Sequence, residues 1–185
     1  MRDDIRPERA RGSGEALPPR EEEIAVQEKA CRALVSSFDT LLLSTLDQEG
    51  APELSYAPFV EGADGVFWIY ISALAAHTRN LRKDARCAVL FIRDERQSRN
   101  LFARERLSLQ CRAEIEDVKG AAGAAMVKAL EARHGETVSL LRSLPDFQLF
   151  RLTPKQGRYV VGFGRAFEWQ PGGALQAIGP PGSVS

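Results

Sequence analysis

The stretch LSLQCRAEI, residues 107–115, sets Leu107, Leu109, Cys111, Ala113 and Ile115 in alternation with Ser108, Gln110, Arg112 and Glu114. Successive side chains of a strand point to opposite faces, so the pattern predicts a strand with one face in a core and one face outside. Just upstream, residues 94–104 are polar and charged and read as a connection. Before them, CAVLFI (residues 87–92) and VFWIYI (66–71) are apolar on both sides, as strands covered on two faces would be. Residues 41–45 and 54–60 form a hairpin around Asp47-Gln48-Glu49-Gly50, a turn with glycine where positive φ is needed. Pro58 predicts a bend or an edge position in that hairpin, and residues 61–65 make the next turn. Downstream, residues 147–152 and 158–169 read as the last strands, the second broken or bent at Gly162 and Gly164.

Helices are few. One begins near Pro19, with Glu21, Glu22 and Glu23 against its positive end and Ile24, Cys31, Leu34, Val35 and Phe38 as its buried stripe. Residues 74–83 form a short helix with Leu74, Thr78 and Leu81 on one side. Residues 121–133 form a third, with Ala122, Met126, Ala129 and Leu130 facing in. Short connections suit antiparallel pairing, and a sheet with so few helices hides its edges by closing into a barrel or sandwich. The class is mainly β with flanking helices. Residues 1–20, rich in Arg, Pro and Gly, and the Gly/Pro-rich residues 171–185 read as flexible tails around a single domain at 21–170.

Composition narrows the function classes. An apolar share of 44% and a charged share of 27% are those of a globular protein. Lysine plus arginine equal aspartate plus glutamate at 25 each, so no charge excess points to nucleic acid or membrane. Cys31, Cys87 and Cys111 are odd in number and form no CxxC pair, which argues against a disulfide framework and for a reducing compartment, the cytoplasm. Two histidines leave little for a metal site, and none is expected. No apolar run approaches the roughly 20 residues of a membrane span, and no signal-peptide core opens the chain.

Three places carry chemistry. In SALAAHTRNL (residues 72–81) a buried strand runs into a helix start, whose unpaired N–H groups attract an anion. Ser72, His77, Thr78 and Arg79 stand around it, a set suited to a phosphate monoester; the alternative is an ordinary capped helix. Arg104 and Arg106, two apart, share one face of extended chain and present two guanidiniums to one anion, or else form a solvated charged turn. Ser55, Tyr56 and Pro58 put polar groups inside a strand, lining a pocket or lying at core or surface. His134 sits beside Gly135 at a helix end, where a cation is common. No nucleophile elbow or Ser/His/Asp order is present.

Taken together, LLLSTLDQEGAPELSYAPF, SALAAHTRNLRKDARCAVLFI, NLFARERLSLQCRAEIE and PKQGRYVVGFGRAF resemble the pyridoxamine 5'-phosphate oxidase-like superfamily of FMN-binding split barrels, nearest its haem-utilisation (HugZ-type) branch. The likeness runs over residues 22–169. It implies a six-stranded antiparallel split β-barrel acting as a homodimer with interfacial sites. It also implies FMN as cofactor, its phosphate held by Ser72, His77 and Thr78. The flavin ring would lie along Ser55, Tyr56 and Pro58, with Arg104 and Arg106 approaching from the same or the partner subunit. The implied activity is a flavin-dependent oxidoreductase acting on a small molecule. The haem branch implies instead a haem-binding or haem-degrading protein of iron utilisation. A third reading is a split barrel that binds without catalysis. Haem-degrading members supply an iron ligand from a histidine near the C-terminus; here no histidine follows His134. The Arg/His pair of the true oxidases is missing as well, so pyridoxamine phosphate is not the expected substrate.

Overall fold

A computed structural model describes residues 21–62 and 65–178. The elements run α1 (Glu21–Ser36), β1 (Thr40–Leu46), β2 (Pro52–Glu61), β3 (Phe67–Ser72), α2 (Ala76–Lys83), β4 (Arg86–Ile92), β5 (Arg106–Glu116), α3 (Ala121–His134), α4 (Glu136–Arg142), β6 (Phe147–Gly162), β7 (Arg165–Trp169) and β8 (Leu175–Ala177). The strands lie in the order β3-β2-β1-β4-β5-β6, and β3 pairs back onto β6. Every pairing is antiparallel, so six strands close into a barrel, the split-barrel fold; β7 and β8 continue from β6 as an extension.

The β1–β2 turn forms because the Asp47 carboxylate accepts N–H bonds from Glu49 and Ala51 at 2.9 and 2.8 Å. Pro58 lies where β2 changes partner: it is the last residue opposite β1, and Phe59 is the first opposite β3. A residue with no N–H to give suits that junction. β3 is covered on both faces, as its apolar run predicts. Phe67, Ile69 and Ile71 enter the barrel interior, and Trp68 packs outside with Val127, Leu130 and Val138 of α3 and α4. The interior also takes Leu41, Leu43, Phe59, Val89 and Phe91, while Cys31, Leu34 and Val35 of α1 join the same cluster.

Several expectations need correction. Residues 147–162 are one strand, not two, with a bulge at Lys155: Gln110 faces Gln156 and Cys111 faces Pro154. Gly157 lets β5 come close, since a Cβ there would lie 2.4 Å from Leu109 Cδ2 and 2.5 Å from the Ser108 carbonyl. The break foreseen at Gly162 and Gly164 is a hairpin turn between β6 and β7. The C-terminal tail expected from Pro171 instead carries β8, whose buried Leu175 sends its N–H to Glu28 of α1. The domain therefore continues past residue 170. The expected start of α1 at Pro19 and the tail at 1–20 lie outside the described residues.

In α3 the buried face is Gly123, Val127 and Leu130, while Ala122 is exposed. The helix is turned by about one residue because Gly123 rests on the Asp117 carbonyl, 2.1 Å from where a Cβ would be. α4 had no counterpart in the sequence reading. All three cysteines are buried and free. Burial pushes the Cys31 thiol up to about 12, and the side-chain hydrogen bond with Cys87, followed by burial, raises Cys111. All three thiols are buried, so they are expected to react with a disulfide reagent at pH 8 about a hundredfold slower than after denaturation, when all three are open to solvent. Fast labelling of the native chain would contradict this packing.

Candidate functional site

Alternation along β2 separates the residues expected to line one pocket. Tyr56 and Pro58 face outward and are exposed, whereas Ser55 is half-buried on the opposite face, its hydroxyl 3.4 Å from the Leu43 carbonyl. The strand register then builds an outer surface. One row runs Tyr56, Leu42, Leu90, Ser108, Arg158 across five strands, and the next runs Leu54, Ser44, Ala88, Gln110, Gln156. Its first half is apolar and open: Leu54 is 80% exposed, Tyr56 65% and Leu42 44%. Its second half is a polar groove of about 560 Å³ lined by Ser108, Gln110, Lys155, Arg158 and Glu168, with Ala88 at the junction. Arg106 shares the parity of Ser108 and Gln110 and so stands on this same face. The surface as a whole is amphipathic.

The start of α2 is arranged differently from the expected phosphate cradle. No side chain caps its first N–H groups. Yet the Ser72 hydroxyl donates to the Asp146 carboxylate at 2.5 Å and accepts the Leu74 N–H. Thr78 is fully buried and donates to the Ser72 carbonyl at 2.6 Å, and Arg79 donates to the Leu74 carbonyl. Of the donors expected to meet phosphate, Ser72, Thr78 and Arg79 are engaged within the chain, and a carboxylate stands next to Ser72. His77 is half-buried; burial pulls its pKa below the usual imidazole value, against the opposing pull of Glu53. Leu74, expected inside, precedes the helix and is 80% exposed. Buried Asn80 donates to Thr45 at 3.0 Å and Glu53 at 2.7 Å, which fixes α2 on the β1–β2 hairpin.

Arg104 and Arg106 do not converge. Arg104 turns back, donating from Nε and Nη2 to the Arg93 carbonyl and pairing with Glu95 at 3.1 Å. Arg106 donates to the Arg104 carbonyl at 3.0 Å and remains half-buried at the start of β5.

A second cavity, of about 250 Å³, opens at a barrel end between Cys31, Arg32, Glu61, Phe67, Leu107 and Trp169. Burial raises the Glu61 carboxyl there. Nearby, Tyr159 donates to Glu105 at 2.5 Å, and Arg93 pairs with the other Glu105 oxygen at 2.6 Å.

The model of the family described as pyridoxamine 5'-phosphate oxidase matches residues 27–161, most of the barrel just described. The chain belongs to this family. Within it, the chain is 40% identical over 129 residues to a protein named heme oxygenase HutZ from Vibrio cholerae, covering 70% of this chain and 73% of that one. It is 33% identical over 153 residues to a non-canonical heme oxygenase, HOZ, chloroplastic, of Arabidopsis thaliana. That match takes in 77% of this chain but 45% of the plant protein, so the chain spans under half its length. The crystal structure of Campylobacter jejuni ChuZ superposes with a TM-score of 0.74 at 28% identity, over 87% of this chain and 67% of that one. These likenesses place the chain in the haem-utilisation branch of the family.

Sequence reasoning missed Lys155 and Arg158. Their signal was the PKQGR segment, where the sequence reading ends one strand at residue 152 and opens the next at Arg158. Only the register across four strand pairs brings them onto the surface that also holds Tyr56.

Proposed function

We propose that the chain is a cytoplasmic haem oxygenase of iron utilisation that holds haem between the outer barrel faces of two copies. The observation that carries the reading is the 40% identity to a protein named heme oxygenase HutZ. The amphipathic face fits the ligand: a porphyrin is a flat apolar plate with two carboxylates at one edge. Leu42, Leu54 and Leu90 would cover the ring and exclude water, and Lys155, Arg158 and Arg106 would hold the propionates. Bound haem supplies the iron-centred oxygen chemistry. A second copy would cover the exposed apolar half, since a patch bearing Leu54 at 80% exposure suits an isologous contact.

Haemin titration tests the reading: a stoichiometric Soret band is expected. Bleaching of that band under air and reductant, with ferrous iron released to a chelator, would establish turnover. Binding without bleaching would leave a carrier, and absence of binding would end the haem reading. Arg106→Ala and Arg158→Ala should each weaken haemin about tenfold, about 1.4 kcal/mol, with the melting temperature nearly unchanged. A large drop in stability with unaltered affinity would remove these residues from the site.

FMN, with a flavin-dependent oxidoreductase activity, is the second reading. The uncapped start of α2 favours it, and the Asp146 carboxylate bonded to Ser72 weighs against a phosphate there. Flavin retained through desalting would restore it.

A further inference from the structure

We infer that Cys87 and Cys111 are a redox pair, two thiols of the barrel interior that peroxide closes reversibly into a disulfide across β4 and β5. The register sets Cys87 directly opposite Cys111. Opposed residues of an antiparallel pair carry their side chains on the same face, here the face that enters the barrel core. The class of the pair follows from the bonds at either end of the ladder. Arg93 donates its N–H to the Glu105 carbonyl at 2.9 Å, and Ala113 donates its N–H to the Ala85 carbonyl at 2.8 Å. Stepping by twos along both strands from either bond reaches Cys87 and Cys111. Theirs is therefore a hydrogen-bonded pair, with Cα atoms about 5.5 Å apart. That spacing falls inside the range of about 4.4–6.8 Å that disulfides take. The Cβ atoms of such a pair start at the wide end of the cross-strand range, about 5.5 Å. They must close to about 4.5 Å or less, so the bond carries strain and is readily reduced.

The two side chains already meet. The hydrogen bond with Cys87 is the first cause that raises the Cys111 thiol, and Cys87 Sγ donates to the Cys111 carbonyl at 3.8 Å. Cys31 sits apart on α1, among Glu105, Arg32, Glu61 and Glu28. Cys87 is the most exposed of the three, at 9% against 5% and 3%, and it is the second residue of β4, where opening of the strand end admits a small oxidant. Peroxide takes the Cys87 thiol to the sulfenic acid: an S–O bond forms, the O–O bond breaks and one water leaves. The Cys111 sulfur then displaces the hydroxyl, which departs with the Cys111 proton as a second water while the S–S bond forms. Two thiols lose two electrons in all, and one peroxide gains them.

The test treats the fully reduced, full-length chain with hydrogen peroxide under native conditions, then denatures it, alkylates the remaining thiols and maps the peptides. Of its three thiols, the wild type should keep only Cys31 alkylatable and yield one linked peptide pair, Cys87 to Cys111, with its circular dichroism unchanged. Reduced glutathione should return all three. Cys31→Ala should form the same link at the same rate, and Cys87→Ser should lose thiols at least about tenfold more slowly than the wild type. The wild-type map stands on its own if Cys87→Ser fails to fold. Three thiols surviving in the wild type, a link that includes Cys31, sulfinic acid at Cys87 without a link, or a link formed only as the circular dichroism is lost would each overturn the inference.

Discussion

Phe91→Ala should destabilise the protein by about 3–5 kcal/mol, the range for removing a fully buried aromatic ring. Phe91 is 1% exposed on β4, and its ring lies 5.4 Å from both Phe59 and Phe67 and 5.9 Å from Phe38. These partners come from β2, β3 and the segment after α1, so one ring joins parts of the barrel distant in sequence. A barrel interior cannot collapse onto the vacancy without breaking strand pairing, so relaxation recovers little. For a domain of this size the loss lowers the melting temperature on the order of 10 °C. Phe102→Ala is the control: that ring is 89% exposed, and its removal should change stability by less than about 0.5 kcal/mol. Equal melting temperatures for the two variants would mean that the aromatic cluster does not organise the core.

What the sequence made legible follows from how local each signal is. Four of the five apolar residues alternating along β5 are buried as their parity requires. Ile115, the fifth, is 56% exposed, because β4 begins at Arg86 opposite Arg112 and, among the described residues, no strand pairs with β5 on that side beyond this point. The alanine-rich α3 gave a weak period, since alanine is apolar wherever it falls, and the phase was set by the contact of Gly123 with Asp117. Residues 153–157 fall between two strands in the sequence reading because the bulge that joins them depends on β5, over 40 residues away. The Pro171, Gly172 and Gly173 stretch read as a tail because the pairing of β8 with β7 leaves little mark in three residues.

The candidate site was legible by residue type and not by partner. Ser72 and Thr78 are donors, as expected, yet Asp146, which takes the Ser72 hydroxyl, lies 74 residues downstream and only the β3–β6 pairing brings it there. Ser55 and Tyr56 were read as one lining, although alternation along a strand places them on opposite faces. The haem-utilisation branch was recognised from motif order, which depends on the whole chain; the flavin assignment depended on a few donors whose engagement elsewhere the sequence does not display.

Leu54→Lys should dissociate the proposed homodimer while leaving a folded monomer. Leu54 is 80% exposed and points away from the barrel interior, so the substitution should cost the monomer less than about 0.5 kcal/mol. In a twofold contact each copy contributes the same patch, so one substitution places two ammonium groups in the apolar half of the surface. Desolvating an unpaired charge costs several kcal/mol, enough to raise the dimer dissociation constant more than about a hundredfold. Haemin affinity should fall with it, because the ring would lose both the leucine beneath it and the partner's cover. Sedimentation at micromolar concentration gives the first readout and a haemin titration the second. A variant that stayed dimeric and bound haemin normally would move the interface off β1 and β2. A variant that became monomeric yet bound haemin as tightly as before would show that one copy suffices, and would separate the ligand surface from the contact between copies.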